Sequence, residues 1–153
     1  MTQTTIAKTG SMRLEALLEP SSIAILGASA NSTSLGHVAV ANLQDIGFPG
    51  SIYPVNPKYD EILGYRCYAS VDELPESVDL IAFFLGYSRI LPEYEKVASK
   101  GIGAAVIFDS GFAELGGEGR ALQDRIVALS REAGVALCGP NCMGVLNPHG
   151  PSQ

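Results

Sequence analysis

The stretch Ile23-Ala24-Ile25-Leu26-Gly27-Ala28-Ser29-Ala30-Asn31-Ser32-Thr33-Ser34-Leu35-Gly36 decides the fold. Ile23 to Leu26 is wholly apolar, with no polar alternation. Such a strand is buried on both faces, as in a parallel sheet covered by helices. Gly27 stops it, and a loop rich in Ser, Asn and Thr follows. After Gly36, Val40, Leu43 and Ile46 fall on or near one side of a helix that Gly47 closes. Strand, polar loop and helix in that order are the opening half of a βαβ unit.

Outward from this stretch the rhythm repeats. Ser51-Ile52-Tyr53-Pro54-Val55 is a second strand, with Pro54 expected near a strand end or bulge because it lacks a donor. Ser70 and Glu73 read as a capping box opening a one-turn helix before Pro75. Leu80 to Leu85 is a third strand, and Ile90, Leu91, Tyr94, Val97 and Ala98 share one face of the helix that Gly101 ends. Ala104 to Phe108 is a fourth strand. A loop with Gly111, Gly116, Gly117 and Gly119 leads into a helix carrying Leu122, Ile126 and Leu129, ended by Gly134, and Val135 to Cys138 is a fifth strand. Upstream, Leu14, Leu17 and Leu18 line one side of a short helix that Pro20 ends. The expected fold class is α/β: a Rossmann-like doubly wound parallel sheet of about five strands with helices on both faces. Residues 1–13 read as a flexible leader, 14–147 as the domain, and 148–153 as a tail or linker to a following domain.

Composition bounds the function. The chain has 153 residues, 46% hydrophobic and 17% charged, enough for a core and too apolar for a disordered chain. Its longest apolar stretch, Leu80 to Leu85, is far short of the ~20 residues that span a bilayer. The first residues have no apolar core of a secretion signal, so a cytoplasmic location is expected. A net charge of −6 argues against nucleic acid as a partner. It leaves room for phosphates held by backbone N–H groups. The three cysteines read as free thiols, and no Cys/His set has zinc spacing, so no metal is expected.

In an open parallel sheet, ligands bind beyond the carboxyl ends of the strands. Four loops meet there: 27–36, 56–58, 85–88 and 109–112. The first has glycines for tight turns, Ser and Asn as side-chain donors, and a helix start that directs free N–H groups into the crevice. A diphosphate suits it, although an ordinary capped strand–helix loop would look similar. It is no G-x-G-x-x-G, since Ser29 stands where the second glycine would be. Val55-Asn56-Pro57-Lys58 offers no acid for an NAD ribose, while Lys58 attracts a phosphate near the ribose. Coenzyme A, with a ribose 3′-phosphate and a diphosphate, fits both features; NADP fits on charge alone.

A set of motifs in fixed order then becomes specific: Gly27-Ala28-Ser29 with Gly36; Ile52-Tyr53-Pro54-Val55-Asn56-Pro57-Lys58; Glu61-Ile62-Leu63-Gly64; Ser110-Gly111-Phe112-Ala113-Glu114; and Gly139-Pro140-Asn141-Cys142-Met143-Gly144. From about residue 14 to 147 the chain resembles the CoA-binding domain of NDP-forming acyl-CoA synthetases (ADP-forming acetate–CoA ligases), relatives of the succinyl-CoA synthetase alpha subunit. The resemblance implies that Gly27, Ala28, Ser29, Ser32, Leu35 and Gly36 hold the CoA phosphates. It implies Asn56, Pro57 and Lys58 at the adenosine 3′-phosphate end and Leu85 along the adenine or pantetheine path. Asp109, Ser110 and Gly111 would pass the pantetheine arm. Asn141 would stand near the thiol or fix the loop it passes, the alternative being a turn residue after Pro140. Three departures from the family pattern stand out: no base between Ala30 and Leu35, Leu85-Gly86 where Val-Pro is common, and Asp109 in place of a small residue.

The implied function is to bind CoA and present its thiol to an acyl phosphate held by other domains. The expected partners are CoA or acyl-CoA and the remaining ligase domains or subunit, with no nucleic acid and no membrane. No catalytic residue is assigned. His37 reads as a helix-start residue beside the phosphate loop, His149 matches no family motif, and neither phosphohistidine loop nor ATP-grasp region is in the sequence. Cys142 reads as a structural thiol, and Tyr65, Tyr68 and Tyr87 as packing residues more than adenine platforms. Two other readings of the same fold are an acyl-CoA-sensing regulatory domain of a protein lysine acetyltransferase and a free-standing CoA- or NAD(P)-binding protein.

Overall fold

The apolar runs become parallel strands. The computed structural model describes residues 14–145 and 147; the expected leader, 1–13, and tail, 148–153, lie outside the described residues. Five strands, β1 (Ser22–Leu26), β2 (Ser51–Val55), β5 (Leu80–Phe83), β6 (Ala104–Ile107) and β7 (Ala136–Cys138), form one parallel sheet in the order β2-β1-β5-β6-β7. All residues of β1, β5 and β6 are buried, as continuous apolar runs require in a sheet covered on both faces. Helix α1 (Leu35–Asp45) covers one face, with Val40 packed among Ile23, Ile25 and Ala28. Helices α2 (Ile90–Lys100) and α3 (Gly117–Ala133) cover the other, through Tyr94, Val97 and Ile126. A buried bond joins these two: Ser130 Oγ donates to the Ile126 carbonyl, so the Tyr94 hydroxyl donates to Ser130 Oγ at 2.6 Å.

Several local expectations meet the tertiary context. Pro54 lies one residue from the end of β2, as expected, and the register with β1 runs through it without a bulge. It sits inside β2, on an edge strand, and its carbonyl accepts from Tyr68 N–H on the outer side, so the missing donor faces away from β1. The third strand ends at Phe83, leaving Phe84 and Leu85 to the loop beyond. Ile46 caps α1 and is exposed, so the packed side ends at Leu43. In the helical turn over 14–18, Leu17 packs on the core while Leu14 and Leu18 stay exposed. The capping box does not form: Ser70 makes no side-chain cap, and Glu73 Oε2 accepts from the N–H of Ala69, one residue before the cap. Sequence reading missed the antiparallel hairpin β3 (Glu61–Ile62) and β4 (Tyr65–Arg66), turned by Leu63 and Gly64, both at positive φ, and the short 3-10 turns Tyr87–Arg89 and Ala113–Leu115.

Setting the hairpin aside, the sheet order is 2-1-3-4-5 in main-strand sequence. The chain runs from β1 to one side, then crosses back to β5 on the other. That reversal opens a crevice at the carboxyl ends of β1 and β5.

Candidate functional site

Loop 27–36 leaves β1 under tight constraint. Gly27 has φ +91°, and a Cβ there would strike the Phe84 carbonyl of the neighbouring loop. Gly36, inside the first turn of α1, is as close to the Gly27 carbonyl. The two glycines therefore bring three backbone segments into contact at the switch point. Between them the loop satisfies itself. Ser29 Oγ accepts from Asn31 N–H (3.0 Å), Asn31 Oδ1 takes Thr33 N–H (3.1 Å) and Oγ1 (2.9 Å), and Ser34 Oγ caps α1 through His37 N–H (3.2 Å). His37 is a brace: its Nδ1 lies 2.9 Å from the Ser29 carbonyl, which can only accept, so that nitrogen carries the proton. The expected Ser and Asn donors are thus largely spent on loop shape. Of the implied phosphate contacts, Ala28 is fully buried and Ser32 and Leu35 are exposed. What the loop offers is backbone: Leu35 and Gly36 begin α1, where helix geometry supplies no carbonyl for their N–H groups.

Asn56 holds the second wall. Its Nδ2 donates to the Ala28 carbonyl at 2.7 Å and its Oδ1 accepts from Lys58 N–H at 3.0 Å. The side chain is therefore a strut between two loops, and the turn it makes over Pro57 aims the Lys58 backbone. Pro57 and Lys58 are exposed, and Leu85 is buried. Together they line a cleft of about 440 Å³ with Gly27, Val55, Phe84, Arg89, Glu93 and Lys96. Arg89 and Lys96 went unnoticed in the sequence. Their signal was Arg89-x-x-x-Glu93-x-x-Lys96, an i, i+4, i+7 spacing on one helical face directly after a strand. Lys96 Nζ meets Glu93 Oε1 at 2.9 Å, and that carboxylate holds the ammonium above its usual range. Three cations against one carboxylate line this cleft, in a chain of net charge −6. The tyrosines are elsewhere: Tyr68 packs edge-on against Tyr53 under the Arg66 guanidinium, Tyr87 packs on Phe112, and Tyr65 leans on the core.

A second recess of about 240 Å³ lies across Gly27, between Ser34-Leu35-Gly36, Leu85-Gly86 and Phe108-Asp109. Burial pushes the Asp109 carboxyl up from its usual range, and the Leu85 backbone N–H pulls it partly back. Ser110 is exposed, and Gly111, at φ +107°, sits against the Tyr87 ring. Asn141 is exposed at φ +56°, and its N–H donates to the Asp109 carbonyl at 3.0 Å. The structure thus brings Asp109 and Asn141 together, while Ser110 faces outward. Cys142 Sγ donates to the Ile107 carbonyl at 3.3 Å, and burial raises both the Cys138 and Cys67 thiols, the reverse of activation for those two. Among the described residues no group of three or more His, Cys, Asp or Glu could hold a metal, and no helix is long and apolar enough to cross a membrane.

Fold and crevice define a class: a doubly wound α/β domain whose anion-attracting cleft sits at the switch point of its sheet. Within that class the chain belongs to the CoA binding domain family, whose model matches residues 21–148. Coenzyme A is the ligand of this domain. The chain is 42% identical over 135 residues to an ADP-forming acetate–CoA ligase of Archaeoglobus fulgidus, covering 88% of this chain and 20% of that enzyme. It is 40% identical to a trans-feruloyl-CoA synthase from an unidentified prokaryote, over 88% of this chain and 19% of the synthase. The alpha subunit of an ADP-forming acetate–CoA ligase of Pyrococcus furiosus is 37% identical, with 30% of its length covered. The chain thus spans about a fifth to a third of these relatives. A solved dinucleotide-forming acetyl-coenzyme A synthetase of Candidatus Korarchaeum cryptofilum, in complex with phosphate and ADP, superimposes with a TM-score of 0.80 at 34% identity, over 86% of this chain and 28% of that one. A hypothetical protein from Pyrococcus horikoshii matches over 94% of both chains, with a TM-score of 0.66 at 25% identity.

Proposed function

We propose that this chain is the CoA-holding module of an ADP-forming acid–CoA ligase, working with the ligase's other domains or subunit. The observation that carries this reading is the cationic cleft of Lys58, Arg89 and Lys96, in an acidic protein, opening beside backbone amides at the start of α1. In this reading Gly27, Ala28, Ser29, Ser32, Leu35 and Gly36 shape and edge the seat of the diphosphate. The Leu35 and Gly36 amides supply its hydrogen bonds. Asn56 and Pro57 set the height of Lys58, whose ammonium meets the ribose 3′-phosphate, with Arg89 and Lys96 on the facing wall. Leu85 gives the adenine an apolar floor. Asp109, Ser110 and Gly111 flank the pantetheine arm, and Asn141 fixes the loop at its thiol end. The chain's own work is binding and orientation: it lowers the entropic cost of bringing a thiol to an acyl phosphate that neighbouring domains supply. Three free thiols fit a cytoplasmic setting.

Calorimetric titration with CoA, 3′-dephospho-CoA and NADP tests this. CoA binds most tightly, and Lys58→Ala weakens CoA by about ten-fold and dephospho-CoA much less. Equal affinity of the wild type for CoA and its dephospho form removes Lys58 from its role. A second reading is a free-standing CoA-binding protein; the solved Pyrococcus horikoshii protein carries the same fold over 94% of its own chain. The coding sequence on either side of this chain separates the two.

A further inference from the structure

Cys138 and Cys142 bracket Gly139-Pro140-Asn141 at the carboxyl end of β7, where the chain folds back on itself. Cys142 Sγ lies 3.7 Å from the Cys138 carbonyl oxygen and 3.3 Å from that of Ile107. Gly139 leaves room for this return. At its φ of +94°, a Cβ would lie 3.2 Å from Cys142 Sγ and would strike the Ile107 carbonyl. The Cys138 thiol has the Gly144 carbonyl at 4.0 Å and the Cys142 side chain as its hydrogen-bond partners. These S–H contacts are weak and cost little to give up. Both cysteines are half-buried against one apolar cluster, whereas Cys67 is buried. Residues 139–145 belong to no helix or strand, so no hydrogen-bonded ladder holds the two side chains apart.

We propose that Cys138 and Cys142 are a redox pair that closes to a disulfide by exchange with a low-molecular-weight disulfide. The pair stands independently of the CoA reading above. One cysteine, as thiolate, attacks a sulfur of the small disulfide, expels one small thiolate and is left in a mixed disulfide. The other, as thiolate, attacks the protein sulfur of that mixed disulfide, forms the Cys138–Cys142 bond and expels the second small thiolate. Two electrons pass from the cysteines to the small disulfide, and the two protons they lose end on the released thiols. Proximity drives the second step: the neighbouring thiol is present at a far higher effective concentration than any molecule in solution. Burial, and then the contact with Cys142, push the Cys138 thiol up from its usual range. Such a thiol is slow to ionise and a poor leaving group, so the pair closes slowly and, once closed, resists reduction. The closed form fixes residues 139–141 in a ring whose Asn141 N–H already donates to the Asp109 carbonyl.

The test incubates the reduced full chain with glutathione disulfide and, separately, with CoA disulfide, for a time on the order of hours. Titratable thiols in the denatured protein then fall from three to one. The intact mass drops by about 2 Da with no adduct retained, the signature of an internal disulfide. Peptide mapping joins Cys138 to Cys142 and leaves Cys67 free. Cys138→Ser and Cys142→Ser each lose the internal product and hold the small thiol as a mixed disulfide. The wild-type mass and peptide map decide the matter if either variant fails to fold. Three thiols left unchanged, a lasting mixed disulfide on the wild type, or a link through Cys67 overturns the proposal. The two oxidants separate the sources. CoA disulfide that closes the pair about ten-fold faster than glutathione disulfide, and is slowed by adenosine 3′-phosphate 5′-diphosphate, is delivered through the CoA site. Equal rates assign the pair to small disulfides in general.

Discussion

At the β1 end of the crevice, the side-chain polar groups of loop 27–36 bond mainly to one another, and the ligand is left the backbone. At the β6 end, a buried carboxylate oxygen has no partner at all. The first wall is finished before anything binds: glycine packing sets its shape and Asn56 ties it down. The second keeps a carboxylate oxygen that is buried without a partner. A preformed wall lowers the ordering cost of binding, whereas an unpaired buried oxygen is a cost to the folded state.

That contrast can be broken at the rigid wall first. Gly27→Ala places a Cβ against the Phe84 carbonyl at φ +91°, with no room to give. It lowers stability by about 3 kcal/mol or more and the melting temperature by roughly 10 °C, with CoA binding lost. Scanning calorimetry reads this, and an unchanged melting temperature means the loop can move after all. Asn56→Ala removes both struts and costs about 1–2 kcal/mol in urea unfolding, with weaker CoA binding because the loops splay. Tyr94→Phe, remote from both walls, removes the bond to Ser130 and costs about 1 kcal/mol. Its CoA affinity stays at the wild-type value, which separates stability from binding. The smallest effect sharpens the other wall. A carboxyl whose folded pKa is raised favours the folded state at low pH and loses that contribution as pH rises through the raised value. Asp109→Asn, which cannot ionise, therefore melts a few degrees at most above the wild type at pH 7. The gap closes as pH falls below the ordinary aspartate value of about 3.9. A gap that widens in acid reverses the assignment of Asp109 as a poorly satisfied carboxylate.

The main strands and helices were legible because each is set by a run or a period within its own residues. Ile23 to Leu26 reads as buried whichever neighbours it has, and Gly101 and Gly134 end helices at left-handed φ as their positions suggested. The hairpin at Glu61 to Arg66 was not legible, because two-residue strands are too short for any periodicity to show. At the site, Gly27, Gly36 and Lys58 stood out by residue type. Asn56 also stood out, but only the fold shows that its amide spans to the Ala28 carbonyl. Arg89 and Lys96 went unnoticed, because only the switch point brings them into one cleft with Lys58.

By itself the sequence determined the alternation of strand and helix, the glycines that let backbone segments touch, and the loop that offers amides to an anion. These are local: each follows from side-chain volume, backbone freedom or period over a few residues. Tertiary structure alone decided which charges share the cleft and that one oxygen of Asp109 is buried without a donor. Those depend on strand order, which brings together residues tens of positions apart, and pairing and desolvation exist only once they meet.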